Sequence, residues 1–358
     1  LFTKYAAMDL TRYLTELDGQ YRIFDLGRRI RKLDKKQFQQ FEDSQIPYPF
    51  PYLQHAWLAL FIAPKNQPEN ETLWFLKWPL DEQGKLIPYV RDDLVQRLLA
   101  LSKTPLKVDS EIEDALIEDP LKDNPFAFNP DDIRRANLHA TLQAQLHRKP
   151  SAHYQVALNY LQAGALNKAE LNNWQALGMQ GLADVAARQD KHQSTLQGTL
   201  GHMPAEAYLA FAQCLEHQVL SHKLCEIVSK RFQSDLQKPH NIIAVEAGMR
   251  LLGTSLNDQL RIETWQQWMA SDYHNQVAAL LTFSTRNYDD LAFMPEKITP
   301  FLVDLAQVNG NFEGFIKVVG DLLHLPGIRN LLLNNLRDPK RPEIIAQALQ
   351  ALLTRKQN

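Results

Sequence analysis

Apolar positions along this chain follow two different periods. Met8, Leu10, Tyr13, Leu14 and Leu17 recur at helical spacing and stop at Asp18-Gly19, after which residues 21–27 read as a short strand closed by glycine. The run Pro47-Tyr48-Pro49-Phe50-Pro51 fits neither a helix interior nor a central strand, and so predicts an extended connector. Residues 55–62 and 72–78 are aromatic-rich and apolar with a Pro- and Asn-containing break between them, the pattern of a hairpin of two largely buried strands. Leu94, Leu98, Leu99 and Leu101 mark a closing helix. Residues 8–105 are therefore expected to form a small α+β domain with about three strands.

From residue 131 onward no alternating strand pattern occurs. Helical periodicity instead predicts about twelve helices, over 131–148, 151–162, 168–187, 204–217, 220–236, 242–252, 258–269, 276–283, 295–307, 312–323, 328–336 and 342–353. Small apolar segments recur among them. With Ala183, Ala212, Ala247 and Ala279 as markers the steps are 29, 35 and 32 residues, and Ala348 lies two further periods on. Such a period belongs to stacked helix pairs, each burying a face that its neighbour completes. The expected fold is an α+β N-terminal domain followed by an all-α, HEAT-like α-solenoid over 131–358. Between them, residues 106–130 combine a strong excess of Asp and Glu with repeated prolines, and predict an acidic linker with one short helix over 112–117.

Composition narrows the function classes. A chain of 358 residues exceeds one ordinary core, and its formal net charge of −2 names no polyanionic partner. Only 14 glycines are present and neither GxGxxG nor GxxxxGK[ST] occurs, which argues against the usual dinucleotide and P-loop chemistries, and no cofactor is expected. Two cysteines are too few for a secreted disulfide framework and fit a reducing, cytoplasmic setting. The longest apolar stretches, 56–63 and 276–283, fall short of the ~20 residues that span a bilayer, so no membrane association is expected. Leu1 to Ala7 begin without Met and carry no long apolar run; nothing is built on them.

Two constellations carry candidate chemistry. Cys214, His217, His222 and Cys225 read C-x2-H-x4-H-x2-C and supply four ligands of the kind a tetrahedral zinc takes. Both cysteines also fit apolar helix faces, where a free thiol acts as a small hydrophobe, and that reading is preferred because zinc sites ordinarily draw on knuckle and turn spacings. Arg28, Arg29, Arg31, Lys32, Lys35 and Lys36 form a basic run directly after the first strand, able to grip phosphates or nucleic acid. No RNP-like or helix-turn-helix pattern accompanies it, so a solvated surface is the simpler reading. Trp57, Phe61, Trp74, Phe75 and Trp78 could serve as a base-stacking platform but are more simply core. His139, His147 and His153 form no HExxH motif, and no G-x-S-x-G is present, so the catalytic residues stay unassigned.

The segments Tyr21-Arg22-Ile23-Phe24-Asp25-Leu26-Gly27-Arg28-Arg29-Ile30, Pro47-Tyr48-Pro49, Trp74-Phe75-Leu76-Lys77-Trp78-Pro79-Leu80-Asp81-Glu82-Gln83-Gly84, Asn124-Pro125-Phe126-Ala127-Phe128 and Leu177-Gly178-Met179-Gln180-Gly181-Leu182-Ala183-Asp184 resemble a Gram-negative bacterial family known as a domain of unknown function. The resemblance spans nearly the whole chain and implies a bacterial, cytoplasmic setting; it brings no activity, cofactor or site residue. The leading expectation is a non-enzymatic protein-binding scaffold. A nucleic-acid-associated protein using the basic run, and an enzyme with a site between the domains, are the alternatives.

Overall fold

The computed structural model describes residues 9–16, 19–64, 71–103, 123–308 and 310–355. They fall into two compact units, Leu1–Pro130 and Asp131–Asn358.

The first unit is built on a four-stranded antiparallel sheet. Its elements are α1 (Leu10–Glu16), β1 (Gly19–Asp25), β2 (Arg31–Lys32), α2 (Lys35–Glu42), β3 (His55–Pro64), β4 (Thr72–Pro79) and α3 (Pro88–Lys103), and the strand order is β2-β1-β3-β4. The fourth strand, beyond the three expected, is the two-residue β2 inside the basic run, too short to leave a period-2 signature. Tyr21 and Ile23, Leu58 and Leu60, and Trp74, Leu76 and Trp78 line one face and pack with Leu14 of α1, Phe38 and Phe41 of α2 and Leu94 of α3. The opposite face is apolar as well: the register aligns Phe24 with Ala59 and Ala59 with Phe75, and Phe24, Ala59 and Phe61 are buried. Both faces being apolar is why these strands read as continuous hydrophobic runs. Residues 124–128, within the stretch read as linker, run along β4, where the Lys77 N–H donates to the Phe126 carbonyl at 2.7 Å and the Phe128 N–H to Phe75 at 3.2 Å. The rest of the acidic segment, including the helix expected over 112–117, lies outside the described residues.

The second unit holds thirteen described α-helices: α4 (Asp132–Gln145), α5 (Tyr154–Leu166), α6 (Met179–Ala186), α7 (Gln193–Thr199), α8 (Ala205–Leu215), α9 (His222–Leu236), α10 (Ile242–Leu252), α11 (Asp258–Met269), α12 (Val277–Arg286), α13 (Ile298–Gln307), α14 (Glu313–Leu322), α15 (Pro326–Arg337) and α16 (Glu343–Arg355). Alternate helices stack. One layer runs α4-α6-α8-α10-α12-α14-α16, and α5-α7-α9-α11 form the other, an α-solenoid of helix hairpins. The marker alanines lie on the first layer: Ala183 on α6, Ala212 on α8, Ala247 on α10, Ala279 on α12 and Ala348 on α16, all buried. Their small side chains, with Gly181 and Gly248 in α6 and α10, let neighbouring helices approach closely; a Cβ on Gly181 would lie 2.5 Å from the His153 carbonyl oxygen.

The single helix expected over 168–187 is two elements. A 3-10 turn (Lys168–Asn172) ends at Asn173, and α6 begins only after Gly178. Helix α7 was not foreseen; it is seven residues long and mostly polar, and of its side chains only Leu196 and Thr199 are buried. No helix among the described residues is long and apolar enough to cross a membrane.

Candidate functional site

The basic run divides between interior and surface. β1 ends at Asp25, which is fully buried and accepts a hydrogen bond from the Tyr48 hydroxyl at 2.8 Å. Burial raises the Asp25 carboxyl to about 7, against the opposing pull of Tyr48, the Gly27 N–H, Arg31 and Arg28. Gly27 lets the chain pass close to the proline-rich strap, since a Cβ there would lie 3.0 Å from Tyr52 Cβ. Arg28 is buried, donates from Nε to the Pro51 carbonyl at 3.0 Å and lies over the Tyr52 ring at 5.2 Å, while Arg31 lies over Phe50 at 4.6 Å. Arg29 is buried too. Arg28 and Arg31 thus hold residues 50–52, and a charge count alone does not reveal it. Arg31, Lys32, Lys35 and Lys36 stay exposed; Lys35 sits 3.7 Å from the Tyr21 ring centroid, and Asp34 caps α2 by accepting from the Lys36 and Gln37 N–H groups.

The aromatic set is split by the strand alternation. Trp74 and Trp78 face the helices, with Phe38 6.3 Å from Trp78, whereas Trp57 and Phe75 meet Phe128 at 5.0 and 6.0 Å on the other face. Lys77 covers the Trp57 ring at 4.5 Å.

Cys214 and Cys225 are buried in the helical core, and burial raises both thiols, Cys214 to about 12. The Cys214 thiol packs 3.4 Å from Met179 Sδ. His222 is exposed and faces Glu226 at 3.6 Å, and His217 is half-buried. Among the described residues no three His, Cys, Asp or Glu side chains gather to hold a metal ion. His139 contacts Gln143 on its own helix, and His153 precedes α5. Asp131, one of the acidic residues near the unit boundary, caps α4 through the Arg134 N–H at 2.8 Å.

Buried ion pairs tie successive repeats together. Glu216, just after α8, accepts from Arg250 of α10 at 2.9 Å and from Arg286 of α12 at 3.0 Å. Burial would raise its carboxyl, but Arg286 and Arg250 outweigh that and hold it at about 2. Arg231 bonds Asp235 on its own helix and the Leu200 and Met203 carbonyls one repeat earlier. Arg261 bonds both the Ser255 carbonyl and Asp290.

One edge of the stack carries an apolar row. Because α8, α10 and α12 are alternate members of one layer, the connections that follow them lie at the same end. Val219, Leu256 and Phe293 sit in these connections at steps of 37 and 37 residues, and are 56%, 81% and 56% exposed. Bonds run between successive connections on this side: Gln189 Nε2, in the connection after α6, donates to the Val219 carbonyl at 3.1 Å, and Arg261 joins the segment holding Leu256 to Asp290. Helical periodicity does not reveal these residues, because it reports buried positions. The signal was present, as apolar residues just ahead of the helix-capping Ser221 and Asn257.

These features define a helical-solenoid protein with an α+β unit ahead of the array. Residues 7–353 match the family model described as protein of unknown function (DUF3549), and the chain belongs to that family. No curated protein and no solved structure matches it.

Proposed function

We propose that this protein is a non-enzymatic, protein-binding scaffold whose solenoid presents the Val219, Leu256 and Phe293 edge to a partner, with the acidic stretch ahead of residue 124 serving as the linker between its two parts. The observation that carries this reading is the repetition itself. Isolated exposed apolar side chains are ordinary, but three at one repeat position form a row. Stacked helices lie about 8–10 Å apart, so the row matches a partner whose apolar side chains recur at about that interval, such as one face of a helix at every seventh residue.

The test is affinity capture from a lysate with and without nuclease treatment at two salt concentrations, comparing the full chain with a Val219→Ser, Leu256→Ser, Phe293→Ser variant of unchanged thermal stability. A protein held by the parent at both salts and lost by the variant supports the edge. Identical captured sets from both chains would refute it. Material that is salt-labile, nuclease-sensitive and lost on Arg31→Glu with Lys32→Glu would instead favour nucleic-acid binding.

A further inference from the structure

A cavity of about 360 Å³ opens between the end of α11, the turn after it and α13. Its volume lies at the lower end of the roughly 300–1,000 Å³ typical of small-molecule sites. Trp268, Met269 and Phe301 supply apolar wall, and His274, Lys297 and Asp304 supply charge.

The polar atoms around it sort by what they already bind. Trp268 Nε1 donates to the Tyr273 carbonyl at 3.0 Å, and the Thr299 hydroxyl donates to Asn335 Oδ1 at 2.9 Å. His274 Nδ1 lies 2.9 Å from Asp304 Oδ2; a carboxylate only accepts, so Nδ1 carries the hydrogen and Asp304 is engaged. Two groups remain: His274 Nε2 and the Lys297 ammonium, which has no acidic partner among the described residues. With Nδ1 donating to Asp304, Nε2 of a neutral ring is an acceptor, so the pair offers an ammonium donor and a nitrogen that can share a proton with a carboxyl group; beside an apolar wall this suits the two oxygens of one carboxyl attached to an apolar body. A phosphate dianion fits poorly, because the Asp304 carboxylate adjoins the cavity and Lys297 is the one Lys or Arg among the described residues that line it.

We propose that this cavity binds a small monocarboxylate with an apolar body of one or two rings. One carboxylate oxygen meets the Lys297 ammonium and the other meets His274 Nε2 across a proton taken up with the ligand, while Asp304 holds the ring through Nδ1 on its far side. The site is independent of the apolar edge, since none of its residues belongs to that row.

The experiment is fluorine NMR titration of the full chain with 6-fluoro-2-naphthoate, its neutral amide 6-fluoro-2-naphthamide, and inorganic phosphate as competitor. The naphthoate is expected to bind, the amide to bind at least tenfold more weakly, and phosphate to compete poorly. Lys297→Met and His274→Gln should each weaken naphthoate at least tenfold while keeping the parent's thermal midpoint. Asp304→Asn should weaken it less than His274→Gln, since it removes the group that positions the ring and leaves the ring itself. Absence of naphthoate binding at millimolar concentration overturns the proposal. So does equal binding of the amide, equal competition by phosphate, or an unchanged affinity in Lys297→Met.

Discussion

Two carboxylates of the first unit sit where charge is costly. Asp25 is fully buried beside Tyr48, and Glu42 is almost so, accepting from the Leu10 N–H, the Thr11 N–H at 2.9 Å and the Thr11 hydroxyl. Burial raises both to about 7. The native state then keeps protons that the unfolded chain, with ordinary carboxyls near 3.8 and 4.5, has released. Their stabilisation is fully present below about pH 4 and is lost as pH rises through about 7. Calorimetry across pH 5 to 8.5 should show the midpoint of the first unit falling, and Asp25→Asn with Glu42→Gln should flatten that fall; a double variant with the parent's slope would contradict this assignment. Glu42 also fastens a helix of seven residues, too short to hold together alone. Nothing local in the sequence marks either role. Asp25 reads as the end of a strand and Glu42 as the end of a helix, and their partners are 23 and 31 residues distant.

Contacts between helices rest on what is missing from their side chains. In α6, Gly181 faces the His153 carbonyl just ahead of α5, and an added methyl has a rigid backbone atom in its way. Gly181→Ala should cost about 1–3 kcal/mol in urea unfolding of the second unit. Unchanged stability would mean that the two helices lie farther apart than described. At this scale the sequence was most readable: small residues at a 29-to-35-residue period mark stacked helix pairs, and the marker alanines all lie on one layer, because close packing restricts which residues fit. The broken element at 168–186 was harder to see. Its apolar residues keep helical spacing across Asn172-Asn173, and only the backbone shows that the chain turns there. The basic run was half readable. Its exposed lysines behave as charge patterning suggests, but Arg28 and Arg29 are interior, Arg28 held there by an aromatic, proline-rich strap from elsewhere in the chain.

The molecule as a whole combines units with opposite responses to acid. Glu216, held at about 2, stabilises the second unit above its ordinary value of 4.5, and that contribution is lost as pH falls through about 2. Glu216→Ala leaves Arg250 and Arg286 without this partner and should destabilise the second unit by roughly 3–5 kcal/mol near neutrality. The difference from the parent should shrink as pH is lowered toward 3, because below about 4.5 the parent's unfolded chain takes up a proton at this residue while its folded state does not; urea unfolding at both pH values checks this, and a penalty independent of pH would contradict the ion-pair origin. Arrays with only nearest-neighbour contacts come apart one repeat at a time from their ends. Glu216 reaches a helix one step along its layer and another two steps along, 34 and 70 residues away in the chain. Glu216 is therefore a central splice, and single-molecule stretching is expected to show the outer hairpins peeling first and the stretch from α8 to α12 parting as a single block at higher force.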